Sequence, residues 1–219
     1  MSILNDKFDK VFVISSHPTY NRLNNINHIF QEFDISYELI ISPDKRYFDD
    51  YSLIDKKNIW VGSGNKSLIS ANESILLKSK IEKYKSICVF EDDVFFEKNH
   101  LKMLSDFFKE LNDDWQILNL GYHAHSNVSV NFSNKVHRIK KDDVIIGTHV
   151  ICYKENIFDE LLTELSKNKY PIDWFLDKTI YYKYMSYIPT DRIFYASSYR
   201  RCECDSDADY KLYKSEICF

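Results

Sequence analysis

The sequence predicts an α/β fold, a single domain on a mostly parallel sheet with helices packed on its faces. Three observations lead there. Short apolar, β-branched runs alternate with amphipathic segments through the first half of the chain. One run, Ile87-Cys88-Val89-Phe90, is continuous enough for a strand buried on both faces and ends abruptly in Glu91-Asp92-Asp93. Only 4 Gly and 4 Pro occur in 219 residues, so no stretch resembles a flexible linker that would divide the chain.

Val11-Phe12-Val13-Ile14 reads as the first buried strand, broken by Ser15-Ser16-His17-Pro18-Thr19. The helix that follows carries Leu23, Ile26, Phe30 and Phe33 on one face. Its entry loop lies at the carboxyl end of a strand, where open α/β sheets bind ligands, and Arg22 near its start is a candidate nucleotide or phosphate contact. Tyr37 to Ile41 form a second strand, closed by Ser42-Pro43-Asp44, and the polar segment 45–57 is a loop. Gly62 to Asn65 make a turn before a helix carrying Leu68, Ala71 and Ile75, then Leu77, Ile81 and Tyr84. After the acidic strand, Leu101, Leu104, Phe108 and Leu111 mark an amphipathic helix, and Gln116 to Leu120 a strand ending at Gly121.

The second half changes character. Val128, Val130 and Phe132 alternate with polar residues as in a half-exposed strand. Val144 to Ile146 and His149 to Cys152 flank Gly147 as buried strand. Phe158, Leu161, Leu162 and Leu165 line a helix, and Pro171-Ile172-Asp173 opens another, since Pro suits a first turn and an acid there complements the dipole. From Asp191 the chain is polar and aromatic without period, and the tail from about residue 197 is irregular.

The net charge of −4 offers no global argument for nucleic-acid or membrane binding. Of five cysteines, Cys88 and Cys152 sit in apolar runs, the pattern of buried thiols in a reducing compartment. Cys202 and Cys204 lack the second pair a zinc site needs. The first residues are polar and charged, unlike a secretory signal, and no apolar run approaches a bilayer span. The expectation is a cytoplasmic protein without a transmembrane segment, whose sequons at Asn72, Asn127 and Asn131 go unused.

Acids at the end of a buried strand repel one another and resist desolvation, and a hard divalent cation such as Mg²⁺ or Mn²⁺ compensates them economically. In extended backbone alternate side chains share a face, so Glu91 and Asp93 can address one ion while Asp92 points elsewhere. A metal beside an α/β sheet with no Gly-rich loop suits a metal-held diphosphate, as in sugar transfer from a nucleoside diphosphate. Metal-dependent phosphatases and nucleases also use clustered acids, so the residues alone leave both chemistries open.

Four blocks in order resemble glycosyltransferase family 25, whose members include lipooligosaccharide β-galactosyltransferases and collagen hydroxylysine galactosyltransferases. They are Val11 to Ile14 with Arg22, Phe90-Glu91-Asp92-Asp93-Val94, Gly147-Thr148-His149-Val150, and Pro171-Ile172-Asp173. The resemblance runs from about Lys10 to Asp209. It implies a GT-A fold, a Rossmann-like mixed sheet flanked by helices in a single domain. It also implies a UDP-sugar donor, Mn²⁺ or Mg²⁺ dependence, and inversion at the anomeric carbon. Glu91, Asp92 and Asp93 then form the DXD-type element, with Asp93 and Glu91 on the metal and Asp92 toward the ribose or donor sugar. Ser70 matches the serine of the family's Ser-His pair. The histidine of that pair is replaced by Ala71, and the preceding glycines by Ser63 and Lys66, which sets a non-catalytic, lectin-like module beside the enzyme as an alternative.

Asp173 is the candidate general base for the acceptor hydroxyl. His149 is a candidate metal ligand, although a histidine inside an apolar strand is commonly a hydrogen-bonded core residue. His123 and His125, after Gly121, and Trp174, beside Asp173, are candidates for acceptor binding, with core packing the competing role for the indole. The expected reaction moves a hexose, galactose or glucose, to a glycan or to a hydroxylated protein side chain.

Overall fold

The computed structural model describes residues 2–15, 20–43, 63–124, 134–167 and 170–196. A seven-stranded mixed sheet runs through its centre, in the order β2-β1-β3-β7-β5-β8-β6. Its strands are β1 (Lys10–Ser15), β2 (Glu38–Ile41), β3 (Ser86–Glu91), β5 (Ile117–Ala124), β6 (Val136–Arg138), β7 (Ile145–Lys154) and β8 (Ser186–Pro189). A separate two-stranded ribbon pairs β4 (Val94–Phe95) with β9 (Tyr195–Ala196). The helices are α1 (Ile3–Lys7), α2 (Tyr20–Glu32), α3 (Ser63–Ile81), α4 (Lys98–Glu110), α5 (Phe158–Leu165) and α6 (Ile172–Phe175), with Leu176–Ile180 continuing α6 as a π-helical turn.

The parallel reading of the first half holds, since β1 pairs in parallel with β2 and with β3. Beyond β3 the sheet turns mixed. β7 is antiparallel to both β3 and β5, β5 is parallel to β8, and β6 is antiparallel to β8. β1 lies between β2 and β3, so the connections leave it in opposite directions and open a crevice at the carboxyl ends of β1 and β3.

Strand alternation divides the core into two layers. Phe12, Ile14, Ile87, Val89, Ile151 and Tyr153 face α3, α5 and α6. Val11, Val13, Cys88, Phe90, Val150 and Cys152 face α1, α2 and α4. On the second side an aromatic cluster locks the end of β3. Phe90 meets Phe30 edge-on at 5.1 Å and Phe194 at 5.3 Å, and Phe96 meets Phe194 at 5.0 Å. Such pairs add about 0.5–1.5 kcal/mol each beyond burial.

Several local expectations change. α3 begins at Ser63, so Ser63 to Asn65 are helix rather than turn. Its inner face carries Ser67, Ala71, Asn72, Ile75, Leu76 and Ser79, leaving Leu77 and Ile81 exposed at 52% and 77%. A 3.6-residue period running from Ser67 through Ala71 and Ile75 carries those two outward. Ile193, Phe194 and Ala196 are buried, so the chain beyond Asp191 contributes to the core. Residues 128–132 and the tail from 197 lie outside the described residues. No helix among the described residues is long and apolar enough to cross a membrane.

β5 does not end at Gly121 but runs through it to Ala124, with register irregularities at Asn119/Gly121 and Gly121/His123. A Cβ on Gly121 would stand 2.7 Å from the Val150 backbone nitrogen and 3.1 Å from His149 Cβ. The glycine lets β5 approach β7 more closely than a side chain allows. By contrast, a Cβ on Gly64 in α3 would meet nothing within 4 Å. Gly121→Ala is expected to cost about 2–3 kcal/mol through a backbone clash. Gly64→Ala should stabilise by up to about 1 kcal/mol through helix propensity. Urea unfolding of the two variants checks both signs.

Candidate functional site

The crevice at the carboxyl ends of the parallel strands gathers most of the polar candidates. Glu91 is the last residue of β3, and Asp92 and Asp93 form the turn into β4. Because β7 runs antiparallel to β3, with Phe90 opposite Val150, its opening residues arrive beside the acidic turn. Thr148 donates from Oγ1 to Glu91 Oε1 at 2.9 Å, and His149 Nδ1 stands 3.6 Å from Glu91 Oε2.

Glu91, Asp93 and His149 each offer one ligand atom, all within 4.8 Å of one another, and together form a group able to hold a metal ion. The fit has a second support. Asp93 Oδ1 is buried and has no hydrogen-bond partner among the described residues, a costly state for a carboxyl oxygen unless a cation meets it. Two carboxylates and one imidazole suit Mn²⁺ well, since the nitrogen donor is less apt for Mg²⁺ or Ca²⁺.

Asp92 points elsewhere, as expected, although a turn rather than extended strand carries it and Asp93. Ser15, at the end of β1, donates from Oγ to Asp92 Oδ2 at 2.6 Å, and Arg22 Nη1 on α2 lies 3.5 Å from Oδ1. Arg22 is therefore tied to the acidic turn.

Burial, opposed by the Ser15 hydroxyl and the Arg22 guanidinium, leaves the Asp92 carboxyl above its ordinary value. For Asp93, burial first and then the Glu91 charge push the pKa up to about 6. Burial also acts against the Glu91 carboxylate, but His149, Thr148 and Arg22 together outweigh it and hold that pKa below its usual value. At neutral pH Glu91 and Asp93 offer ionised carboxylates held together against their mutual repulsion.

α6 brings Asp173 to the same side of the sheet. Its Oδ2 accepts from the Gly147 backbone N–H at 3.2 Å and its Oδ1 from the Trp174 N–H at 2.8 Å. Gly147 lies two residues before His149 and has a φ of +86°, a conformation that glycine adopts readily. Its carbonyl accepts from Asn119 Nδ2 at 2.7 Å, and the same amide donates to the Tyr181 hydroxyl at 2.8 Å. Trp174 is 43% exposed, so it is not a core residue.

One placement differs from expectation. His123 sits within strand β5 rather than in a loop, and its Nε2 meets His149 Nε2 at 2.8 Å. Ser70 is half-buried in α3, and its carbonyl accepts from the Ser74 hydroxyl. No hydrogen bond described for Ser70 reaches the acidic turn. Ala71, where the resemblance has histidine, packs in the core with Phe12 and Ile14. His125 lies outside the described residues.

Sequence reasoning assigned no role to Ser15, Thr148, Gly121 or Gly147. A signal existed for the glycines. Only 4 occur in the chain, and these two fall inside strand patterns, where glycine marks a bulge or a close approach.

No protein-family model matches the chain, and no curated protein matches it. Among solved structures, it is similar to a glycosyltransferase involved in the glycosylation of the major capsid of PBCV-1. Identity is 8%, with 95% of this chain and 99% of that chain covered and a TM-score of 0.51. A197 from STIV aligns with 15% identity over 81% of this chain and 79% of that one, at a TM-score of 0.38. A putative glucose-1-phosphate thymidylyltransferase from Bacillus anthracis aligns with 10% identity over 78% of this chain and 84% of that one, also at 0.38. The seven-stranded mixed sheet flanked by helices is a GT-A-like fold.

Proposed function

We propose that the chain is a metal-dependent, inverting glycosyltransferase of the family 25 type, moving galactose or glucose from a UDP-sugar to a hydroxyl of a glycan or protein side chain. The observation that carries this reading is the Glu91, Asp93 and His149 cluster at the carboxyl ends of parallel strands in a GT-A-like fold. These three residues would hold Mn²⁺, or Mg²⁺. Bound there, the ion supplies Lewis-acid neutralisation of the departing diphosphate.

The chain's own residues supply the rest. Asp92, braced by Ser15 and Arg22, would accept a hydrogen bond from the ribose or the donor sugar. Arg22 brings positive charge to the diphosphate side of the crevice. Ser70 belongs with the donor contacts only if the sugar reaches α3. Asp173 takes the proton of the acceptor hydroxyl as its oxygen attacks the anomeric carbon and the bond to UDP breaks on the opposite face. The backbone N–H groups of Gly147 and Trp174 hold the Asp173 carboxylate in position. Exposed Trp174 offers a stacking surface for the acceptor sugar, and His125 is proposed as a further acceptor contact.

A donor screen for UDP release in Mn²⁺ tests the reading. Acceptor-dependent release from UDP-galactose or UDP-glucose is expected. Asp93→Ala should fall to near background, and Asp173→Asn should lose about 10²–10⁴-fold in turnover. Release of inorganic phosphate from simple esters, with no UDP formed, would turn the assignment to a phosphoester hydrolase. Sugar binding indifferent to both UDP and Mn²⁺ would turn it to a lectin-like module.

The raised Asp93 pKa sets a pH dependence. The proton bound to Asp93 contributes stability below the unfolded value near 4, and that contribution is lost as pH rises through about 6. Above that pH a buried carboxylate is left for the cation to relieve, so Mn²⁺ competes with the proton only below it. The Mn²⁺-induced rise in Tm is expected to be larger at about pH 7.5 than at about pH 5, where affinity falls about tenfold from this proton alone. Thermal melts with and without MnCl₂ at both pH values check this, and Asp93→Asn should abolish the difference.

A further inference from the structure

We infer that His123 is the positioning residue for His149: it grips that imidazole through Nε2 and so presents Nδ1 to the acidic pair. The inference rests on the metal reading above and extends it to a residue on a third strand. The two rings meet Nε2 to Nε2 at 2.8 Å, with centroids 4.8 Å apart and planes inclined at 71°. A neutral imidazole carries one donor and one acceptor nitrogen, so one ring gives this bond and the other receives it. Without an ion in the site, the Glu91 and Asp93 carboxylates favour a proton on Nδ1 of His149; with one, His149 gives from Nε2 and its Nδ1 keeps a lone pair for the metal. That nitrogen stands 3.6 Å from Glu91 Oε2, too long for a hydrogen bond but suited to two ligands sharing one ion. His123 then accepts at Nε2 and carries its own proton on Nδ1.

The surroundings are built for this contact. A Cβ on Gly147 would stand 3.0 Å from His123 Cδ2 and 3.3 Å from His149 Nε2, and one on Gly121 would stand 3.1 Å from His149 Cβ. Two glycines on adjacent strands thus clear the space in which the rings meet, at the point where the β5–β7 register is irregular. A metal-binding histidine commonly hands its second N–H to a carboxylate, a carbonyl or water, which fixes its tautomer and ring angle. Here a second imidazole on β5 takes that place, so metal affinity depends on a residue that does not itself belong to the ligand group.

Calorimetric titration of Mn²⁺ into the wild type, His123→Phe, His123→Gln and Asp93→Asn tests the inference. Phe keeps the ring but cannot accept a hydrogen bond, whereas Gln places an amide oxygen near the position of Nε2. His123→Phe is expected to weaken Mn²⁺ binding about 10–100-fold, with His123→Gln within about threefold of wild type. If Asp93→Asn loses binding while His123→Phe matches wild type, the inference fails and the metal reading stands. A Gln variant as weak as Phe also overturns the inference, because filling space would then explain the loss. A wild type that does not bind Mn²⁺ overturns both. Should His123→Phe fail to fold, ¹⁵N spectra of the wild type loaded with diamagnetic Zn²⁺ decide. The proton of His149 on Nε2 is expected, and its residence on Nδ1 would refute the assignment.

Discussion

Three adjacent carboxyls at the end of a buried strand are the constraint that the surrounding structure answers. Burying one ionised carboxylate costs several kcal/mol unless partners replace its water, and like charges at this spacing raise the cost. The structure divides the burden by side of the sheet. Asp92 turns toward α2, where Ser15 and Arg22 receive it. Glu91 turns toward β7, where Thr148 and His149 receive it. Asp93 is left with a buried oxygen that no described residue satisfies. The Phe30, Phe90, Phe96 and Phe194 cluster and the β4–β9 ribbon hold the turn in place beneath these charges.

The antiparallel strand β7 is what makes the site possible. In a wholly parallel sheet, the strand beside β3 would bring its last residues to this edge after a crossover. β7 instead enters from the same edge and brings Gly147, Thr148 and His149 from its first half. Its other neighbour, β5, carries His123 to the same end, and α6 adds Asp173 by bonding to the β7 backbone. Four segments far apart in sequence therefore meet within one crevice.

The fold was legible where burial follows a simple period. β1, β3, the core of β7 and the helices α2, α4 and α5 all announced themselves by apolar spacing, and the first three strands were correctly read as parallel. β6, β8 and the β4–β9 ribbon carried no such signal, because strands of two to four residues are too short to show a period. The extent of β5 was misread because Gly121 looked like a stop when it is a point of close contact. At the site, alternation separated Asp92 from Glu91 and Asp93, but the structure groups Glu91 with Asp93 through a turn rather than through extended backbone. The pairing of His123 with His149 was invisible, since it depends on which strand lies beside which, and local sequence does not encode that.

Cys88 and Cys152 face each other in register across β3 and β7, with sulfurs 3.4 Å apart and both side chains fully covered. Burial, and then the neighbouring thiol, lift the Cys152 pKa well above its ordinary value, so little reactive thiolate exists while the strands stay zipped. The molecule consequently carries its own gauge of sheet integrity. The pace at which an alkylating reagent consumes these sulfurs follows how often the middle of the sheet comes apart, three residues from Glu91 on one strand and three from His149 on the other.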